Sequence, residues 1–171
     1  MRRETIYALG TPAPSRAAPG AVSVIRISGP RAADALVFLT ERKALERGRS
    51  ARDPALPAPR RMTVRTVIDP VSGDAIDQGL VVWFEAPNTE TGETMAELHL
   101  HGGRAVANGA LAALAKLEFC RIAEPGEFTR RAFENNKLGL TEAEAIADLV
   151  AAETDQQRRL ALQQMKGALH R

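Results

Sequence analysis

Residues 96 to 106 read AELHLHGGRAV. Glu97, His99 and His101 alternate with Leu98 and Leu100. Successive side chains of a β-strand point to opposite faces. The stretch therefore sets a carboxylate and two imidazoles on one face and two leucines on the other. Gly102 and Gly103 follow, and Val106, Ala110, Leu111, Leu114 and Leu117 then recur at helical spacing. The pattern predicts a strand, a tight turn and a helix from about Arg104 to Leu117.

The polar face admits three readings. Glu-x-His-x-His offers three ligand types that suit zinc or iron. Three ligands along one strand spread over about 14 Å, however, at roughly 3.4 Å per residue, and converge poorly on one ion. The remaining histidine is His170. A second reading is a ligand pocket, because a carboxylate pairs bidentately with a flat ligand that presents two adjacent N–H donors, as pterins and guanines do. The third is a surface charge or a salt bridge, with Arg26 of VIRIS as a partner. Gly-Gly before a helix is an anion-friendly arrangement, yet the chain has no GxxxxGK[ST] phosphate loop and no nucleophile elbow.

Upstream, TIYAL (5–9) and AVSVIRIS (21–28) read as strands, separated by the Pro/Ala/Gly stretch TPAPSRAAPG. Gly29-Pro30 opens a helix that carries Leu36, Phe38 and Leu39 inward. RMTVRTVID (61–69) and GLVVWFE (79–85), joined by the turn-rich PVSGDAIDQ, predict an antiparallel pair. CRIA is a short strand. From Pro125 the texture is helical only. A short helix and turn occupy PGEFTRRAFENNKLGL, and Thr141-x-x-Glu144 predicts a capping box for the next helix. Ile146, Leu149 and Val150 form a first apolar patch on it, and Leu160, Met165 and Leu169 a second, with the polar ETDQQRR between them marking a kink.

The 171 residues carry a formal charge of +2, with 44% apolar and 4% aromatic residues. That is one or two globular domains with an aliphatic core, and too little net charge for a nucleic-acid footprint by itself. Seven Lys or Arg stand between Glu41 and Arg61 against three acids. That basic stretch reads as a solvated helix end and loop, or as an RNA-backbone contact. The single cysteine, Cys120, excludes an internal disulfide and a Cys-based metal site. No run approaches the ~18 apolar residues of a membrane span, and MRRETIYALG lacks the apolar stretch of a signal peptide. A cytoplasmic protein is expected.

TIYALGTP, VSVIRISGP, PNTETGE, ELHLHGG and above all RIAEPGEFTRRAFENNKLGLTEAEAIADLVAAET together resemble, in order and over nearly the whole chain, the N-terminal part of the MnmE/TrmE family of tRNA-modifying GTPases. The resemblance implies an α+β fold. Residues 1–123 would form a mixed/antiparallel-sheet tetrahydrofolate-binding and dimerisation domain, similar to that of the glycine-cleavage aminomethyltransferase. Residues 124–171 would be the first helices of an incomplete helical domain, with the chain ending before the GTPase domain.

The resemblance further implies a reduced folate cofactor, 5-formyl- or 5,10-methylene-tetrahydrofolate, contacted by Arg26, Glu97 and Lys137, with His101-Gly102-Gly103 shaping the turn beside it. It assigns no role to His99, no catalytic residue and no metal ligand. GTP, Mg and K would belong to the GTPase domain. The implied partners are a second copy, a flavoprotein of the MnmG/GidA type, and tRNA, whose wobble uridine the complex modifies at C5 with a methylene-tetrahydrofolate one-carbon unit. By itself this chain would be a binding module and not an enzyme. The alternatives are a stand-alone folate-dependent aminomethyltransferase, or a fragment that no longer holds folate. Two departures stand out: GTPAPSRAAPGAV, with Arg16, replaces a shorter, glycine-rich first loop, and Thr94 replaces an acidic residue after TGE.

Overall fold

A computed structural model of the chain describes residues 4–15, 17, 20–41 and 56–168. Most of the basic stretch, together with Arg16, Leu169 and His170, lies outside the described residues. The chain divides into two compact units, Met1–Thr89 with Glu93–Pro125, and Glu90–Gly92 with Gly126–Arg171.

The first unit is α+β. Its strands are β1 (Thr5–Leu9), β2 (Val22–Ser28), β3 (Thr63–Ile68), β4 (Ala75–Phe84), β5 (Met95–His101) and β6 (Cys120–Ile122). Its helices are α1 (Ala32–Thr40) and α2 (Arg104–Ala115). The strands form one mixed sheet in the order β3-β4-β5-β2-β1-β6. Every pairing is antiparallel except β1 with β6. β4 begins at Ala75, four residues before the apolar run that marks it in the sequence. Its polar first residues pair with β3, so they hide inside what composition reads as a turn.

Alternation decides what the sheet buries. Ala96, Leu98 and Leu100 of β5 join Ile25 and Ile27 of β2 and Val81 of β4 in the core. On the same face, α1 buries Ala32 through Leu39, and α2 buries Ala107, Ala110, Ala113 and Leu114. Val106 and Leu111 of α2 are only partly buried. Each buried leucine contributes about 1.5–3 kcal/mol, enough to forbid a one-residue slip that would turn Leu98 and Leu100 to solvent. The turn from β5 to α2 is tight because Gly102 has no side chain: a Cβ there would fall 2.0 Å from the Gly20 carbonyl oxygen. The Gly102 N–H donates to the Ala21 carbonyl at 3.1 Å.

The second unit contains α3 (Glu127–Glu134), α4 (Leu140–Ala151) and α5 (Asp155–Ala168). α4 starts at Leu140 with Gly139 as its cap, not at Thr141. The carboxylate of Glu142 accepts the Gly139 N–H at 3.4 Å, so the reciprocal half of the box is made two residues earlier than the Thr141/Glu144 pairing. The polar ETDQQRR segment holds a full break, where Thr154 Oγ1 accepts the Gln157 N–H at 3.2 Å. In α4 and α5 the described residues buried are Ala145 and Ala161, whereas Val150 and Leu160 are exposed. Apolar spacing finds the stripe but not which part of it has a partner. No described helix is long and apolar enough to cross a membrane.

Candidate functional site

The side of the sheet away from α1 and α2 carries the alternate residues of each strand. Arg26 of β2 stands directly across from Glu97 of β5, and Val24 across from His99. On the other flank of β5, Leu80 pairs with His99 and Val82 with Glu97. Arg26 Nε lies 3.3 Å from Glu97 Oε1. His99 Nε2 lies 2.9 Å from Glu97 Oε2. His99 Nε2 therefore hydrogen-bonds Oε2, which places the His99 proton on Nε2, whereas Arg26 meets Oε1 as an ion pair in which its Nε makes no hydrogen bond. The three side chains are half-buried, at 28%, 20% and 28% exposure for Arg26, Glu97 and His99. Gly10 leaves room for the arginine stem, since a Cβ there would sit 3.1 Å from Arg26 Cδ. The salt bridge foreseen between Arg26 and Glu97 is thus present. His99, which sequence reasoning left without a role, completes the cluster; its place on the Glu97 face was the available signal.

His101 takes a different partner. Asp77 of β4 accepts its backbone N–H at 2.8 Å and its Nδ1 at 2.8 Å. That puts the ring proton on Nδ1 and leaves Nε2 toward solvent. Partial burial pushes the Asp77 carboxyl upward. The hydrogen bonds from the His101 backbone and ring and from the Gln78 N–H outweigh burial and hold it below its ordinary value. Next to this pair an open groove of about 360 Å³ runs between Val22, Val64, Leu80 and His99. Its three aliphatic walls are 52%, 58% and 40% exposed.

Lys137 belongs to the second unit. It follows α3 through Asn136, whose φ of 55° is left-handed, and its N–H donates to the Ala132 carbonyl at 2.8 Å. Its stem lies along Gly92, where a Cβ would be 3.2 Å from Lys137 Cγ and 2.8 Å from Asn135 Cβ. Asn135 Nδ2 donates to the Thr91 carbonyl at 2.6 Å. These contacts join TETG to the NNK turn. Lys137 lines an open groove of about 490 Å³ with Phe133, Glu134, Asn136 and Glu142. α3 also carries a buried pair, Arg131 Nη2 to Glu127 Oε1, at 3.0 Å.

Among the described residues no group of three or more His, Cys, Asp or Glu side chains could hold a metal ion. Burial pushes the Cys120 thiol up to about 12, against the pull of Arg31 and with a further push from Asp34. Cys120 is therefore neither a thiolate nor a ready nucleophile.

Comparison with known proteins agrees with this architecture. The family model described as "GTP-binding protein TrmE N-terminus" matches residues 5–137. A Methylobacterium radiotolerans protein named tRNA modification GTPase MnmE is 53% identical over 88% of this chain and 31% of its own length. Proteins of the same name from Rhodopseudomonas palustris and Methylorubrum populi are 48% and 50% identical, over 98% and 100% of this chain and 33% and 35% of theirs. The chain spans about a third of the length of the curated relatives it matches. The family match begins at β1, ends at Lys137 and takes in the sheet with its Arg26–Glu97 pair: the chain belongs to the family of TrmE N-terminal domains.

Proposed function

We propose that this chain is the folate-holding, dimerising front of a tRNA modification GTPase. The observation that carries the reading is the Glu97 carboxylate, half-buried on the sheet face away from α1 and α2, with Oε2 bonded to His99 Nε2 and Oε1 in an ion pair with Arg26. A carboxylate so oriented fits a pterin edge, which offers two adjacent N–H donors in one plane. Arg26 is a permanent cation beside it and suits the carbonyl side of the ring. A bound reduced folate, 5-formyl- or 5,10-methylene-tetrahydrofolate, supplies the one-carbon unit. This chain's residues bind and orient it.

The relatives' name gives the wider setting. In the whole protein, a GTPase domain using GTP, Mg and K would act with an MnmG/GidA-type flavoprotein on the wobble uridine of cytoplasmic tRNA. A homodimer would form through the first unit. Calorimetric titration of the chain with 5-formyl-tetrahydrofolate tests the folate reading, with Glu97→Ala alongside. Saturable binding that the substitution weakens at least about tenfold is expected, since hydrogen bonds to a charged group contribute ~1.5–3 kcal/mol.

A further inference from the structure

We infer that a ligand held at Glu97 continues along β5 over His99, and that the aliphatic groove beyond takes its flat, uncharged aromatic body. The inference rests on the reading of Glu97 as the receptor of a two-N–H edge. That reading places the head of the ligand. The surroundings of Glu97 set where the remainder goes.

Three of the four ways out from Glu97 across this face are closed. Backward along β5 the next residue on the same face is Met95, 2% exposed, and its partner on β2, Ser28, is fully buried. Toward β4 the residue opposite Glu97 is Val82, 4% exposed. Toward β1 the way is taken by the Arg26 stem, which lies against Gly10 with its Cδ 3.1 Å from where a Cβ would stand. The fourth way is forward. His99 stands roughly 6.8 Å further along β5 on the same face, and it lines the groove of about 360 Å³ with Val22, Val64 and Leu80.

The register makes the groove continuous with the Glu97 cluster. Leu80 lies across from His99, and Val64 across from Leu80. These three form the row next to that of Arg26, Glu97 and Val82. Val22, one step further, pairs with His101. Single exposed aliphatics are ordinary. A contiguous set beside a polar receptor is the arrangement of a ligand site, where an apolar lining holds the body and a few polar groups fix the head.

The chemistry of the groove selects its occupant. Its aliphatic walls carry no charge, so a charged body would lose water there without gaining a partner. His99, fixed by its Nε2 bond to Glu97 at 2.9 Å, puts an aromatic ring at the junction of head and body, where a second ring gains from offset or edge contact. An aryl group joined to the head therefore fits, and an ionic tail belongs past the groove, in solvent.

The test compares two probes by calorimetric titration: 5-formyl-tetrahydrofolate, and 6-methyltetrahydropterin, which has the head and no aryl group. The parent chain is set beside the double variant Val64→Thr/Leu80→Gln and beside Glu97→Ala. The double variant should lose about fivefold or more in affinity for the folate and keep the parent's affinity for the pterin, whereas Glu97→Ala weakens both. Undiminished folate binding by the double variant, or an equal loss for both probes, would overturn the inference while leaving Glu97's role intact. Absence of folate binding by the parent would remove the Glu97 reading, and this inference with it. Should the double variant fail to fold, or the pterin bind too weakly to measure, NMR of the parent saturated with the folate decides the matter. Nuclear Overhauser contacts from the aryl protons to the methyls of Val22, Val64 and Leu80 are expected. Their absence contradicts the inference, and contacts from these methyls to a second copy in their place would make the groove a self-interface.

Discussion

Asp77 and His101 are locked together twice: the carboxylate accepts both the backbone N–H and the ring Nδ1 of His101, each at 2.8 Å. The lock ties the start of β4 to the end of β5, where the chain turns into α2. Asp77→Asn should destabilise the first unit by about 1 kcal/mol at neutral pH. The Asp77 carboxyl lies below its ordinary value in the folded chain. Its stabilisation is therefore complete above the unfolded value of ~3.9 and is lost as pH falls through the folded value. Urea melts at pH 7 and in the acid range should show the gap between parent and variant closing on acidification. A gap that widens would contradict this lock.

The two faces of β5 should respond unequally to truncation. Leu98 is fully buried, so Leu98→Ala should cost about 2–5 kcal/mol. His99→Ala, one residue away on the other face, should cost about 1 kcal/mol or less. Denaturant midpoints check the pair, and similar losses at both positions would disprove the register.

Gly92→Ala probes the seat of Lys137. Gly92 has a φ of 77°, and a Cβ would stand 2.8 Å from that of Asn135. The substitution should cost about 1–3 kcal/mol through backbone strain and shift the NNK turn. A lower denaturation midpoint together with altered amide shifts at Asn135 to Lys137 is the expected signature.

The buried pair of α3 should behave as a unit. Arg131 and Glu127 are 6% and 2% exposed. Glu127 also lies 3.6 Å from Arg130 Nη2, so Glu127→Ala, which takes the buried acid from both arginines, should cost about 3 kcal/mol, and Arg131→Ala less. The double variant should cost much less than the sum, and additivity in the cycle would show that the two charges are stabilised separately.

Much of this molecule is legible in its residues. The alternation in AELHLH places Leu98 and Leu100 in the core and Glu97, His99 and His101 on the other face, as the structure does. The β-branched runs at Thr5–Leu9 and Val22–Ser28 are strands. The less legible parts share one cause: they depend on who the neighbour is. Asp77 sits among turn formers, and only the pairing of β4 with β5 reveals that it reaches His101. Glu97 could be read as a surface charge, a salt bridge or a receptor because its contacts come from β2 and from a histidine two residues on. Val150 and Leu160 belong to an apolar stripe by spacing, yet remain exposed, since periodicity does not say whether a second surface is present. The cap of α4 moved from Thr141 to Gly139 because backbone geometry, and not side-chain preference, sets where the helix begins.

The central claim is that Glu97 receives the pterin edge of a reduced folate. The most direct measurement is a calorimetric titration of the chain with 5-formyl-tetrahydrofolate, in parallel with Glu97→Ala and with circular dichroism confirming that both are folded. Saturable binding by the parent and a loss of about tenfold or more in the variant is the predicted result. Equal affinity in the two chains would contradict it and leave the Arg26–Glu97 contact as a salt bridge and nothing more.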